Sequence, residues 1–310
     1  MLFAPPRTTR DPHSVRMVTV QPGVKLEVVD WGGKGPTLIF IAGLGNTAHV
    51  YDEFAPRFTN KYHAIGITRR GFGMSSMPAE GYHVGRLVED IVAVMDSLKL
   101  KNAVLVGHSI GGDELTAMAG SNPDRVRGLI YLDAAFDHSP VLELFRKYPG
   151  PAEYMTKERT DGVPAARLRE MLIYSNNAPL PLNEIYQTVN VDRNGFARGD
   201  KPSAHGKMWA AVRPVAYRGV KAPALAFFAV TKSAADWYGR RYDELNAADK
   251  ALADSSAAAL NRYTHENIDR VRGELAGVRI VKLFDVGHYV FALEPKRVES
   301  EMRSFLAALK

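Results

Sequence analysis

The chain has 310 residues, 46% of them hydrophobic, enough to bury the core of one large domain or one domain with an insertion and too apolar for general disorder. Its formal charge of +6 is interspersed with acids and forms no block of one sign, which argues against a nucleic-acid or membrane-surface partner. The absence of cysteine excludes disulfides, thiolate metal sites and a cysteine nucleophile.

No apolar stretch approaches the roughly 18 residues of a membrane-crossing helix, and Met1 to Arg10 lacks the apolar centre of a signal peptide. A soluble protein is expected, monomer or homodimer, cytoplasmic, or periplasmic or secreted if a leader has been removed. Ala4 to His13 reads as a flexible lead-in. Met17 to Val20 and Lys25 to Val29, parted by Pro22 and Gly23, then predict a hairpin. Thr37 to Ala42 is a continuous apolar run of strand length, the pattern of a strand covered on both faces. Similar runs follow at His63 to Thr68, Ala103 to Gly107, Gly128 to Asp133, Ala224 to Val230 and Val278 to Phe284. Helical spacing appears between them at Leu87, Ile91, Met95 and Leu98, and again at the end at Val298, Met302, Phe305 and Leu309. Strand alternating with helix implies a mostly parallel sheet flanked by helices.

The alternation breaks between about Asp137 and Lys221. Helix-like pieces at Val141 to Tyr148, Ala165 to Tyr174 and Asn183 to Val189 are interrupted by Pro149, Pro151, Pro179 and Pro181, with no convincing strand. A helical cap over residues 137–221 is therefore expected, inserted between core segments 1–136 and 222–310.

Ala103 to Val106 runs into Gly107-His108-Ser109-Ile110-Gly111-Gly112, and a helical pattern through Leu115 and Met118 follows. Strand, G-x-S-x-G, helix is the setting of a nucleophile elbow, a strained turn that lifts a serine hydroxyl clear of the sheet edge. Serine is a poor nucleophile at its own pKa and needs a base within hydrogen-bond reach. Of nine histidines, His288 follows the last strand and precedes the terminal helix, at the same carboxyl edge as the elbow. His108 lies inside the elbow and is expected to point away from the hydroxyl; His138, His205 and His265 fall in helical or inserted sequence.

Two carboxylates compete to orient that base. The loop after Ala224 to Val230 offers an acid only late, at Asp236, whereas Asp133 ends an apolar strand at the carboxyl edge, where a buried charge needs a partner such as an imidazolium. Asp133 is the first choice and Asp236 the second. For the oxyanion of a tetrahedral intermediate, the glycine-flanked N–H of Leu44 in Ala42-Gly43-Leu44-Gly45 and the N–H of Ile110 are the expected donors.

A rival chemistry sits in the same loop. Gly43-Leu44-Gly45-Asn46-Thr47-Ala48 matches the dinucleotide fingerprint G-x-G-x-x-A, and Arg69 and Arg70 end the next strand where a ribose phosphate would bind. An NADP-dependent oxidoreductase leaves the elbow and His288 unexplained. A third class is a receptor that binds a ligand without turnover. No motif calls for a metal or any other cofactor.

Taken together, Ala42-Gly43-Leu44-Gly45, Arg70-Gly71-Phe72-Gly73-Met74-Ser75, the elbow and Gly287-His288 resemble the α/β-hydrolase superfamily, in particular its bacterial esterase-like members with a helical cap. The resemblance runs from about Met17 onward. It implies the α/β-hydrolase fold and a structural role for Arg70 to Ser75. Ala42 stands where the family often has histidine, and Thr68 where it often has aspartate; neither position carries the reaction. An acid placed as Asp133 is found in some members, such as haloalkane dehalogenases, but Ser109 in place of their nucleophilic aspartate argues against dehalogenase and epoxide hydrolase chemistry. The expected function is hydrolysis of a small-molecule carboxylic ester through an acyl-enzyme on Ser109. Lactone, thioester, amide or carbon-carbon bond hydrolysis would use the same groups. Leu144, Phe145, Tyr148, Tyr154, Met171, Tyr174, Ile185, Tyr186 and Trp209 are the apolar residues expected to roof the pocket.

Overall fold

A computed structural model describes residues 13–151, 161–164, 167–170, 178–239 and 241–309. The expected lead-in, as far as Pro12, lies outside them. Eight strands form one sheet in the order β1-β2-β4-β3-β5-β6-β9-β10: β1 Ser14–Gln21, β2 Val24–Gly32, β3 Thr37–Ile41, β4 His63–Ile67, β5 Ala103–His108, β6 Val126–Leu132, β9 Ala224–Val230 and β10 Arg279–Phe284. Strands β1 and β2 form the antiparallel hairpin, β2 runs antiparallel to β4, and every other pairing is parallel.

The continuous apolar runs have the physical cause inferred from them, since alternate residues of each central strand feed two separate cores. Ile39 and Ile41 of β3 pack with Leu105 and with Val88, Ile91, Met95, Leu115 and Met118 of α1 (Val84–Ser97) and α2 (Gly111–Ser121). Leu38 and Phe40 face the other way, against Tyr51, Phe54, Phe58 and the Val298, Met302, Phe305 and Leu306 stripe of the terminal helix, Pro295–Ala308. Among the described residues, no helix is long and apolar enough to cross a membrane.

Between β6 and β9, the chain forms α3 (Val141–Lys147), α4 (Leu182–Thr188) and α5 (His205–Ala211). The middle expected piece, Ala165 to Tyr174, is described only over 167–170, where it is helical. This segment is not purely helical: β7 (Val189–Val191) and β8 (Ala197–Asp200) pair antiparallel. Their turn closes on Asp192, whose Oδ1 accepts from the N–H of Asn194 (2.9 Å) and of Phe196 (3.0 Å). α5 packs back on the core, Met208 and Ala204 lying with Phe72, Tyr82, Leu87 and Ile110.

Candidate active site

The end of β5 turns so sharply that Ser109 adopts φ 53°, in the left-handed region that L-residues avoid at a cost of about 1–2 kcal/mol. Its neighbours explain why glycine surrounds it. A Cβ at Gly111 would lie 2.8 Å from the Ile41 carbonyl oxygen, and one at Gly112 would lie 1.9 Å from that of Ala134. Hydrogen bonds from the N–H of Gly112 to Ser109 O (2.9 Å) and of Asp113 to Ile110 O (3.1 Å) turn the chain into α2. Ser109 remains partly exposed at the carboxyl edge of the sheet.

Asp133 follows β6, the neighbouring strand, also at positive φ (50°) and only 4% exposed. Its carboxylate is fully used: Oδ1 accepts from the Ala229 N–H at 2.8 Å, and Oδ2 meets His288 Nδ1 at 2.6 Å. The bond at Nδ1 leaves the other ring nitrogen of His288 as the one able to act on a neighbouring hydroxyl. Asp236, the second choice, is elsewhere engaged. It forms a capping box with Ser233 at the start of α6 (Ala234–Tyr238), its Oδ2 accepting from the N–H groups of Lys232 and Ser233, each at 2.9 Å.

The loop carrying His288 is fastened to the elbow itself. His108 Nε2–H donates to the His288 carbonyl at 3.1 Å, and the two rings lie 4.4 Å apart. Burial, with the nearby His288, pushes the His108 pKa well below the usual imidazole value, so it stays a neutral donor. His108 had no such role in the sequence; its place beside Ser109 was the available signal. His138 binds Asp113 Oδ1 at 2.8 Å, and His205 accepts from Trp209 Nε1 at 3.1 Å.

The glycine-rich loop after β3 presses on the same turn, since a Cβ at Gly43 would lie 3.2 Å from that of Ser109. Among the described residues, the N–H groups of Leu44 and Ile110 meet no acceptor, the condition expected of donors kept for a ligand. Beyond Leu44 the loop is held by Glu184 of α4. Its carboxylate accepts from Asn46 Nδ2 (3.0 Å), the Thr47 N–H (3.0 Å) and the Thr47 hydroxyl, while Asn46 Oδ1 accepts from the Tyr289 hydroxyl at 3.1 Å. Burial pushes the Glu184 pKa up to about 7 in spite of these donors.

These contacts conflict with dinucleotide binding. The loop leads into a short 3-10 turn, Ala48–Tyr51, rather than a helix whose N-terminus could take a pyrophosphate, and the Thr47 N–H already faces a buried carboxylate. Arg70 is buried in a bidentate pair with Asp90, both bonds 2.7 Å, and Arg69 is buried against Glu114. Neither arginine is available for a ribose phosphate.

One cavity borders the turn at Ile110 and a second borders the Leu44 loop and Tyr289; neither has Ser109 or His288 among its lining residues. One, about 360 Å³, is lined by Tyr82, Leu87, Ile110, Met208, Val212 and Val215; the other, about 410 Å³, by Leu44, Phe72, Leu180, Lys201, His205 and Tyr289 among others. Of the residues expected to form a roof, Ile185 lines the second cavity, Phe145 is 39% exposed, and Tyr154, Met171 and Tyr174 lie outside the described residues.

A family model described as alpha/beta hydrolase fold matches residues 36–184. Over 111 residues, 36% of this chain, the sequence is 31% identical to 2-(acetamidomethylene)succinate hydrolase of Mesorhizobium japonicum. Over 131 residues, 40% of this chain, it is 31% identical to an epoxide hydrolase of Caballeronia sordidicola. The matches span 38% and 40% of those relatives' lengths. The crystal structure of E-2-(acetamidomethylene)succinate hydrolase superposes with a TM-score of 0.68 at 21% identity, covering 96% of this chain and all of that one. With its sheet order, its elbow and these matches, the chain has the α/β-hydrolase fold.

Proposed function

We propose that the chain is a serine hydrolase that cleaves a carboxylic ester through an acyl-enzyme, with Ser109 as nucleophile, His288 as base and Asp133 as the orienting acid. The observation that carries this reading is the 2.6 Å bond between His288 Nδ1 and Asp133 Oδ2 at the sheet edge where Ser109 stands on its strained turn. His288 takes the Ser109 proton as Oγ attacks the ester carbonyl, and Asp133 stabilises the imidazolium that forms. The N–H groups of Leu44 and Ile110 hold the oxyanion. Collapse of the tetrahedral intermediate breaks the bond to the alcohol, which leaves with the proton from His288. Water, deprotonated by the same imidazole, then attacks the acyl-enzyme and releases the acid. The apolar cavity beside Ile110 suits a medium acyl chain or an aromatic group.

Hydrolysis of p-nitrophenyl acetate, butyrate and octanoate by the wild type and by Ser109→Ala tests the proposal. Turnover by the wild type and its loss in the variant are expected. An active variant, or an inactive wild type that binds ligands tightly, would overturn it.

A further inference from the structure

Arg69 follows β4 and is 3% exposed, and its hydrogen bonds go to Glu114, Gly43 and Ala42 rather than to Ser109 or His288. Its guanidinium divides its donors between two elements. Nε–H donates to Glu114 Oε1 on α2, while Nη1–H and Nη2–H donate to the carbonyls of Gly43 (3.1 Å) and Ala42. Both carbonyls belong to the loop that carries Leu44, and Glu114 lies four residues after Ile110, one helical turn along α2.

We propose that Arg69 is a positioning residue that fixes the Leu44 and Ile110 N–H groups relative to one another, a role that rests on those groups being the oxyanion donors. The peptide plane supplies the lever. In a trans peptide the C=O of Gly43 and the N–H of Leu44 point in opposite directions, so drawing that carbonyl onto Arg69 turns the Leu44 N–H to the other side of the loop. The second fork contact, to Ala42 O, fixes the preceding peptide and prevents the loop from rotating about a single bond. The Glu114 contact then ties this oriented loop to the first turn of the helix that begins at the elbow. A lysine's single ammonium can pair with Glu114 but cannot reproduce a planar fork aimed at two carbonyls and a carboxylate. The buried pair has little to offer as a source of stability alone, since apolar side chains of the same size would serve as well or better. The geometry is what it supplies.

Arg69→Lys separates the two roles because it leaves Glu114 a cation. The expected result is a kcat lower by about 10- to 100-fold, less than the 10²- to 10³-fold for deleting an oxyanion donor outright, with KM within about threefold. A trifluoromethyl ketone that mimics the tetrahedral adduct should lose affinity by the same factor as kcat/KM, while the pH profile keeps its midpoint. A melting point that falls while kcat and inhibitor affinity stay at wild-type values would overturn the proposal and leave Arg69 a structural ion pair. Should Arg69→Lys fail to fold, Glu114→Gln weakens the same tie: a drop of about threefold or more in kcat, matched by the inhibitor, supports the role, and wild-type values refute it. Failure of the underlying serine mechanism has its own signature, activity that survives in Ser109→Ala.

Discussion

Replacing Asp133 with asparagine tests the acid more sharply than removing it, because the surroundings decide how the amide must sit. The Ala229 N–H points at Oδ1 from 2.8 Å and needs an acceptor, so the amide oxygen of the new side chain is expected there. That leaves the amide NH2 at the Oδ2 position, 2.6 Å from His288 Nδ1 in the native arrangement. Facing a donor, Nδ1 must become an acceptor, which moves the imidazole proton to Nε2 and removes the lone pair that would take the Ser109 proton. The Ser109 hydroxyl is retained, and the imidazole is in the wrong tautomer to take its proton. The expected loss is about 10³- to 10⁴-fold in kcat, equivalent to roughly 4–5.5 kcal/mol of transition-state stabilisation, with little change in KM. Steady-state hydrolysis of p-nitrophenyl butyrate from pH 6 to 9 measures it, with circular dichroism to show that the variant is folded. A kcat within tenfold of wild type in a folded variant would refute the role of Asp133 in orienting the base.

Asp236→Asn should leave kcat within about twofold of wild type while weakening the capping box by about 1 kcal/mol, a shift of about 2 °C in melting point; a kcat collapse would restore Asp236 as the acid. Glu184, raised from 4.5 to about 7, holds more protons folded than unfolded between those values, so its contribution to stability falls as pH rises through that window. The melting point of Glu184→Gln relative to wild type should therefore improve from pH 4.5 to 7, and a difference independent of pH would contradict this. Gly112→Ala would place a methyl group 1.9 Å from the Ala134 carbonyl oxygen, so a fall in melting point of at least about 5 °C or failure to fold is expected, and a wild-type melting curve would contradict the packing.

What could be read from the chain beforehand follows from where its information is local. The central strands were legible because both of their faces are buried, and a run such as Leu38 to Ile41 has no polar position to blur it. The choice of Asp133 over Asp236 followed from a charge at the end of a buried strand. The 28-residue helix Ala247–Glu274 left no such mark: its buried face is made mostly of Ala253, Ser256, Ala257, Ala259 and Asn267, too small or polar to form an apolar stripe. The β7–β8 hairpin was missed although Asn194-Gly195 is a hairpin turn signal, because its flanking strands are only 3 and 4 residues long and hold Asn190 and Asp200. Glu184 and Arg69 act through partners remote in sequence, Thr47 being 137 positions from Glu184 and Glu114 being 45 from Arg69. No neighbouring residue marks either one. Arg69 read as a possible phosphate ligand because its charge was visible and its neutralising carboxylate was not.

In the proposed mechanism the Ser109 hydroxyl is a nucleophile activated by His288. Intact-protein mass spectrometry after exposure to a fluorophosphonate measures this directly. One adduct is expected, mapped to Ser109 by peptide sequencing, absent in Ser109→Ala and formed at least about 10²-fold more slowly in His288→Ala. Labelling at another residue, or equal rates in wild type and His288→Ala, would contradict it.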